Sequence, residues 1–329
     1  MIVHLLWLLG GLVALVTGAE VLTRAGTRLA ARLGIRPILI GLTIVAVGTS
    51  MPELAVGLWS TGDGDASLTV GNVVGANIMN MLLTLGLSAA LMPLAIQLHT
   101  LRFDLPMMAG AALLLLALAW DLRLDRAEGV LMLVLGLAYL GFLVQLSREE
   151  SRAVLAEFEA EYGARALHIA PGRRRYTALL ADLGWLIGGI AVVIVGAEWL
   201  VDGASGVARA FGVPESVIGL TIVALGTSSP ELATTVVSTL RQERDIAIGN
   251  LLGSCVLNIL VILAVPVALA PAPLALDPQL LRVDIPVMVL ATLVCAPVFF
   301  TGRRVTRLEG VGLLALYLSY MAYLLLART

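Results

Sequence analysis

The sequence contains no lysine, only two cysteines and only three histidines, and charged residues make up 13% of its 329 positions. Two cysteines in apolar stretches do not form a disulfide framework, and three scattered histidines offer no transition-metal site. A net charge of −2 argues against a nucleic-acid partner. The phosphate-binding motifs Gly-x-x-x-x-Gly-Lys-Ser/Thr and Gly-x-Gly-x-x-Gly are absent, so ATP-driven pumping has no support.

Long apolar stretches dominate what is present, because 59% of the residues are hydrophobic. This is too apolar for a soluble globular protein, and runs of about 20 apolar residues are long enough to cross a lipid bilayer as helices. We therefore predict an all-α polytopic membrane protein. Its ten spans, numbered 1 to 10, lie at about 3–23, 37–60, 67–92, 104–120, 127–147, 177–200, 215–240, 245–270, 283–300 and 309–327.

The chain is an internal repeat. Ile40–Ala55 reads IGLTIVAVGTSMPELA and Ile218–Ala233 reads IGLTIVALGTSSPELA, with 14 of 16 positions identical. At a constant offset of 178, 26 of the 63 positions from Gly18 to Asn80 are identical. Five spans per repeat is an odd number, so the two copies have opposite orientations in the membrane. The predicted units are the repeats 1–146 and 177–329, joined by a cytoplasmic loop at 147–176, with the repeated motifs at 40–80 and 218–258.

The arginines predict the orientation of the chain in the membrane, because cytoplasmic loops carry an excess of positive charge. If the N-terminus lies outside, the inside loops hold 16 arginines and the outside segments hold 5, which accounts for all 21. We therefore predict that both termini lie outside the cell.

One glutamate lies deep in each of spans 2 and 7. Glu53 and Glu231 are each about seven residues from one end of their span, or ~10 Å from a membrane face at ~1.5 Å per residue. The inverted repeat brings both towards the midplane. An ionisable residue at that depth is costly and by default marks an ion pathway. Pairing with an arginine is the alternative, but neither span has an arginine at that depth.

The residues before each glutamate should break the helix. A proline removes one backbone hydrogen bond and clashes with the preceding turn, which should free a glycine carbonyl beside two hydroxyl groups. Such oxygens, together with a carboxylate, suit Ca²⁺ or Na⁺. The residues concerned are Gly48, Thr49, Ser50 and Pro52 in span 2 and Gly226, Thr227, Ser228 and Pro230 in span 7.

Spans 3 and 8 carry a second repeated pattern, Gly-Asn-x-x-Gly-Ala/Ser-x-x-x-Asn, whose polar positions share one helical face. For the first asparagines, Asn72 and Asn250, hydrogen bonding between helices explains the pattern as well as a site role does. For the second, Asn80 and Asn258, we favour a place beside the carboxylates because they lie deeper in the span.

Two further pairs of acidic residues recur in both repeats. Glu20 and Glu198 favour a structural role, such as pairing with an arginine of a neighbouring helix or loop. Asp104 and Asp284 precede Leu-Pro and Ile-Pro and are typical of helix caps.

These motifs resemble those of the cation/calcium exchanger superfamily, whose two alpha-repeats carry Gly-Thr-Ser-x-Pro-Glu and Gly-Asn-x-x-Gly-Ser-Asn-Ile-x-Asn. The resemblance covers essentially the whole chain and is closest to bacterial and archaeal sodium/calcium exchanger-like proteins. It implies exchange of Ca²⁺ for Na⁺ by alternating access across the inner (plasma) membrane, with one chain sufficient and no cofactor beyond the transported ions. The implied cation ligands are Thr49, Ser50, Glu53, Asn80, Thr227, Ser228, Glu231, Ser254 and Asn258.

The chain departs from these motifs at two positions. Ala76 stands where the motif has serine, and Cys255 stands where it has asparagine. Two carboxylates balance one Ca²⁺ or two Na⁺, and alanine at position 76 removes one oxygen that Na⁺ would use. The main alternative is therefore an H⁺/Ca²⁺ antiporter that uses the same glutamates. A passive cation channel and an intramembrane enzyme are weaker alternatives, the second because no base–nucleophile pair or metal triad is evident.

Overall fold

The computed structural model describes residues 2–62, 66–96, 102–149, 173–212, 218, 222, 224–300 and 303–328. Most of the predicted loop 147–176 and most of the start of span 7 lie outside these residues. Within them the chain is helical apart from turns and two small sheets. Seven of the described helices are long and apolar enough to cross a membrane, and one bent pair of helices makes an eighth.

Each predicted span corresponds to a helix or to a pair of helices. The first half contains α1 (Ile2–Leu33), α2 (Pro37–Thr49), α3 (Met51–Gly62), α4 (Ser67–Leu91), β1 (Leu94–Ala95), α5 (Asp104–Leu118), β2 (Arg123–Leu124) and α6 (Arg126–Glu149). The second half contains α7 (Arg173–Ala210), α8 (Ala224–Thr227), α9 (Ser229–Leu240), α10 (Arg244–Leu269), β3 (Leu274–Ala275), α11 (Ile285–Phe300), β4 (Arg304–Val305) and α12 (Arg307–Arg328).

Spans 2 and 7 are broken, as predicted. The axes of α2 and α3 differ by 42°, and Ser50 between them has φ −87° and ψ 10°. Ser228 separates α8 from α9 with nearly the same angles, φ −94° and ψ 9°. A proline in the first turn of the following helix explains each break, because it cannot donate the helical hydrogen bond.

The long helices α1 and α7 pack antiparallel at very close range. Glycines at seven-residue intervals make this possible, since a Cβ at any of them would lie 2.3–2.9 Å from the facing helix. They are Gly11 and Gly18 in α1 and Gly189, Gly196 and Gly203 in α7. At one end of the pair, Asp182 of α7 is buried and forms ion pairs with Arg28, at 3.0 Å, and with Arg32.

The two small sheets join the two halves of the chain. β1 pairs antiparallel with β4, and β2 pairs antiparallel with β3. The two sheets are separated by one span in each half, so they mark opposite ends of the helix bundle. Between them α4 and α10 are the most buried of the long helices, and both carry a π-turn, at Asn80–Thr84 and Asn258–Leu263.

The structure settles two predictions about acidic residues outside the broken spans. Glu20 forms ion pairs at 2.5 Å with Arg24 and with Arg241 at the end of α9, which confirms a structural role. The prediction that Asp104 and Asp284 cap helices is wrong. Phe103 occupies the N-cap of α5, one residue before Asp104. Asp284 is the last residue of a π-turn, Leu280–Asp284, that continues directly into α11, and it accepts a hydrogen bond from the Tyr320 hydroxyl at 2.9 Å, so it links two spans instead.

Candidate cation-binding site

The serine at each helix break bonds to the glutamate of the other repeat. Ser50 Oγ donates to Oε1 of Glu231 at 2.8 Å, and Ser228 Oγ donates to Oε1 of Glu53 at 2.8 Å. All four side chains are buried. The two breaks therefore meet at one place, and the two predicted glutamates belong to a single site.

The second carboxylate oxygen of each glutamate is buried and makes no hydrogen bond. The cross-repeat serine bonds bring Glu53 and Glu231 together, and neither glutamate forms an ion pair in the described part of the chain. A buried carboxylate oxygen without a partner is costly, and two such groups side by side repel each other. A cation bound between them would supply both with a partner, so the arrangement fits a cation.

Three more of the predicted ligands present unpaired polar atoms in the buried interior. Ser254 Oγ, Asn258 Oδ1 and both side-chain polar atoms of Asn80 make no hydrogen bond. Asn80 and Asn258 each begin the π-turn of their helix, a local irregularity that is common at functional sites. The oxygens of these three side chains can add to those of the two glutamates.

The predicted threonines contact the first asparagines of the opposite repeat. Thr49 Oγ1 donates to Oδ1 of Asn250 at 3.2 Å, and Thr227 Oγ1 donates to Oδ1 of Asn72 at 3.5 Å. Asn250 also donates to Thr235 Oγ1 at 3.0 Å. Both first asparagines therefore take part in the interhelical hydrogen bonding that was one of the two interpretations of the sequence.

One predicted oxygen has another partner. The carbonyl of Gly226 accepts a hydrogen bond from Ser229 Oγ at 2.7 Å, so one of its two acceptor positions is taken. Position 51, the counterpart of Ser229, is methionine, which cannot make this bond. The substitution was one of only two differences between the repeated 16-residue segments, and it marks a real difference between the two breaks.

Two buried polar residues near the site were missed in the sequence. Thr235 accepts the bond from Asn250, and Asn77 accepts a hydrogen bond from Asn258 Nδ2 at 3.1 Å. Neither has a polar counterpart of its own type in the other repeat, where glycine stands at position 57 and Cys255 opposite position 77. A search restricted to repeated residues therefore passes over both, although the family motif quoted above has an asparagine at the position of Asn77.

Comparison with known proteins places the chain in a family. The model of a family described as sodium/calcium exchanger protein matches residues 3–145 and 182–326. The putative antiporter CaxA of Alkalimonas amylolytica is 35% identical over 330 residues, 99% of each chain. The sodium/calcium exchanger MaX1 of Methanosarcina acetivorans is 32% identical, with 98% of each chain covered. The inner membrane protein YrbG of Escherichia coli is 35% identical, over 88% of this chain and 86% of its own.

A solved structure supports the same assignment. The sodium-calcium exchanger NCX_Mj aligns with a TM-score of 0.81 at 27% identity, covering 98% of this chain and 99% of that one. The match confirms the predicted all-α polytopic fold, and the family excludes the intramembrane enzyme as an interpretation. The chain is a membrane protein that belongs to the sodium/calcium exchanger family of ion antiporters.

Proposed function

We propose that the chain exchanges Ca²⁺ for Na⁺ and that Glu53 and Glu231 bind the transported ions directly. One observation carries the proposal: each glutamate is held by a serine of the other repeat and keeps one buried oxygen without a partner. A structural carboxylate in a membrane interior would be paired with a cationic side chain. Glu53 and Glu231 have no such partner among the described residues, which suits carboxylates that bind and release a transported cation.

The number and charge of the ligands suit Ca²⁺. This ion takes six to eight oxygens, and two carboxylates neutralise its charge. The remaining oxygens would come from the amides of Asn80 and Asn258 and from hydroxyl groups at the helix breaks and on α10, namely Thr49, Ser50, Thr227, Ser228 and Ser254. Two Na⁺ ions compete for the same carboxylates, and this competition couples the two fluxes. Both halves of the site lie in one chain, so a monomer suffices.

The packing of α1 indicates how access to the site is controlled. Thr23 of α1 hydrogen bonds with Ser238 of α9 at 2.7 Å, and Glu20 pairs with Arg241 beside it. This contact covers the half of span 7 that follows the break. Among the described residues α7 makes no such extended contact with α3, the corresponding half of span 2. We infer that the site is closed towards the end of α9 and that movement of the α1–α7 pair opens it there.

We infer from the distribution of arginines that the closed side is cytoplasmic and that the termini lie outside, in the plasma membrane. Cysteine labelling in sealed cells tests this orientation. Gln242→Cys, at the turn after α9, should be protected, and Ala272→Cys, in the exposed turn before β3, should react. Cys255 and Cys295 are buried, so the native thiols give little background. Reaction of Gln242→Cys alone would reverse the orientation.

One observation favours H⁺ as the counter-ion. Ala76 lies at the counterpart of Ser254 and removes one neutral oxygen, which Na⁺ would use and a proton would not need. Purified protein in liposomes separates the two functions. Uptake of radiolabelled Ca²⁺ driven by an imposed Na⁺ gradient at equal pH supports Na⁺ exchange. Uptake driven only by a pH gradient supports H⁺ exchange. Glu53→Gln liposomes are the matched control and should be inactive under both gradients.

A further inference from the structure

Asn77 lies at the centre of a chain of hydrogen bonds between the two repeats. Its Nδ2 donates to the backbone carbonyl of Cys255 at 3.0 Å, and its Oδ1 accepts from Asn258 Nδ2 at 3.1 Å. Asn77 is 3% exposed and Asn258 is fully buried. The chain ends at Asn258 Oδ1, which is buried and makes no hydrogen bond.

The first partner determines the orientation of both amides. A backbone carbonyl only accepts, so Asn77 must turn its nitrogen towards Cys255 and its oxygen towards Asn258. That oxygen also only accepts, so Asn258 must present its nitrogen. Reversing either amide would set two acceptors or two donors against each other in a buried place, where an unsatisfied polar group is costly. Asn258 is thus left with its oxygen directed away from the pair.

We propose that Asn77 is a positioning residue that holds Asn258 with its amide oxygen available to the transported cation. The inference rests on the proposed function, in which Asn258 is a neutral ligand beside the two glutamates. A free asparagine presents a cation with either an oxygen or an NH₂ group. The bond to Asn77 holds the NH₂ group of Asn258 away from the cation before the ion arrives. The ion therefore binds without having to turn the amide.

The other repeat lacks this device. Cys255 stands at the counterpart of position 77, and a thiol is a weak donor and a weak acceptor. Asn80, the counterpart of Asn258, has this thiol beside it, and neither polar atom of its side chain makes a well-formed hydrogen bond. The two site asparagines are therefore unequal: the oxygen of Asn258 is oriented in advance, and Asn80 must be oriented by the ion itself.

A double-mutant cycle tests whether Asn77 acts through Asn258. Asn77→Leu removes both bonds at similar size and frees the Asn258 amide to turn. We expect the Ca²⁺ affinity of the purified protein, titrated with Ca²⁺ alone, to fall about tenfold, as it should for Asn258→Ala. The double variant should lose no more than Asn258→Ala does, because the effect of Asn77 requires Asn258. Additive losses, of about a hundredfold together, would mean a general structural role and overturn the proposal.

A gain-of-function variant keeps the test decisive if Asn77→Leu does not fold. Cys255→Asn places an amide beside Asn80, in the position that Asn77 has beside Asn258. We expect Ca²⁺ affinity to rise about threefold, which corresponds to a fraction of the free energy of one hydrogen bond. Adding Asn80→Ala should abolish the gain. An unchanged affinity in well-folded Cys255→Asn would contradict the orienting role of an amide at this position.

The same titration separates this proposal from the proposed function. If Glu53→Gln weakens Ca²⁺ binding but Asn258→Ala and Asn77→Leu do not, only the positioning role is wrong. If Glu53→Gln binds Ca²⁺ as the unaltered protein does, the site itself has been misplaced, and the role of Asn77 is wrong with it.

Discussion

Spans 2 and 7 are nearly identical in sequence around the break but differ in what covers them. Leu15 and Ala19 of α1 pack with Val193 and Ala197 of α7. At the offset of 178, Val193 is the counterpart of Leu15 and Ala197 is the counterpart of Ala19. Val237 of α9 packs onto this symmetric cluster and is 9% exposed. Trp59, the counterpart of Val237 on α3, is 76% exposed.

The difference shows that the two repeats pack asymmetrically even though their sequences around the break are nearly identical. The site is close to symmetric, because each serine binds the opposite glutamate at the same distance. The helices that cover it are asymmetric, because α1 bonds to α9 through Thr23 and Glu20. At the offset of 178, valine at position 201 replaces Thr23, so α7 cannot form the equivalent of its bond to Ser238. A nearly symmetric site that α1 covers on one side only fits the proposed exchange by alternating access.

The largest expected effects come from the two carboxylates, and they test the symmetric part of the comparison. Glu53→Gln and Glu231→Gln each keep size and remove one charge from a fully buried site. We expect each to weaken Ca²⁺ binding by about 2–3 kcal/mol, or tens- to hundredfold, after loss of hydration is allowed for. Radiolabelled Ca²⁺ uptake into liposomes should fall equally for both.

Glu198→Gln is the control for these variants, because Glu198 is exposed on α7 and takes no part in the hydrogen bonds of the site. It should retain uptake. A large loss for one glutamate variant and none for the other would show that the repeats do not contribute equivalently to the ion site.

Crosslinking tests the asymmetric part of the comparison. Ala19→Cys with Val237→Cys joins α1 to α9 inside the packed cluster and should form a disulfide readily in membranes treated with a mild oxidant. Ala197→Cys with Trp59→Cys is the matched pair in the other half and should crosslink much less. Mobility on a non-reducing gel measures both. Equal crosslinking of the two pairs would mean that the cover is not one-sided.

Restoring a hydroxyl at position 76 should give a smaller effect. Ala76→Ser makes the first repeat match the second at Ser254 and adds one neutral oxygen for Na⁺. We expect the apparent Na⁺ affinity of exchange to rise about threefold to tenfold, in line with one added ligand of about 1 kcal/mol. Ca²⁺ binding should change little. An unaltered Na⁺ dependence would place position 76 outside the ion site.

The features that could be predicted from the sequence are those that recur in both repeats. Both glutamates, both breaks and the deeper asparagines follow from repeated motifs and from the cost of charge in a membrane. The partners across the repeats could not be predicted, because they depend on which helix faces meet. Asn77 and Thr235 have no like counterpart, and the link from Tyr320 to Asp284 joins spans whose contact no local pattern shows.

The sequence also could not predict that α1 packs onto α9 while α7 makes no equivalent contact with α3 among the described residues. Two segments that share 14 of 16 residues cannot by themselves indicate which one a neighbouring helix will cover. The relevant difference is carried by a few bonds from Glu20 and Thr23 of α1 to the end of α9, each worth about 1 kcal/mol. Such a small difference suits a transporter, since both states must be accessible.

The most direct test of the central claim is the number of Ca²⁺ ions bound at equilibrium by the purified protein. Glu53 and Glu231 form one site through their mutual serine bonds, so the unaltered chain should bind one Ca²⁺ with high affinity. Folded Glu53→Gln and Glu231→Gln should each weaken this binding tens- to hundredfold, because one remaining carboxylate cannot balance a divalent ion. Two independent Ca²⁺ sites, each removed by only one of the substitutions, would contradict the shared site.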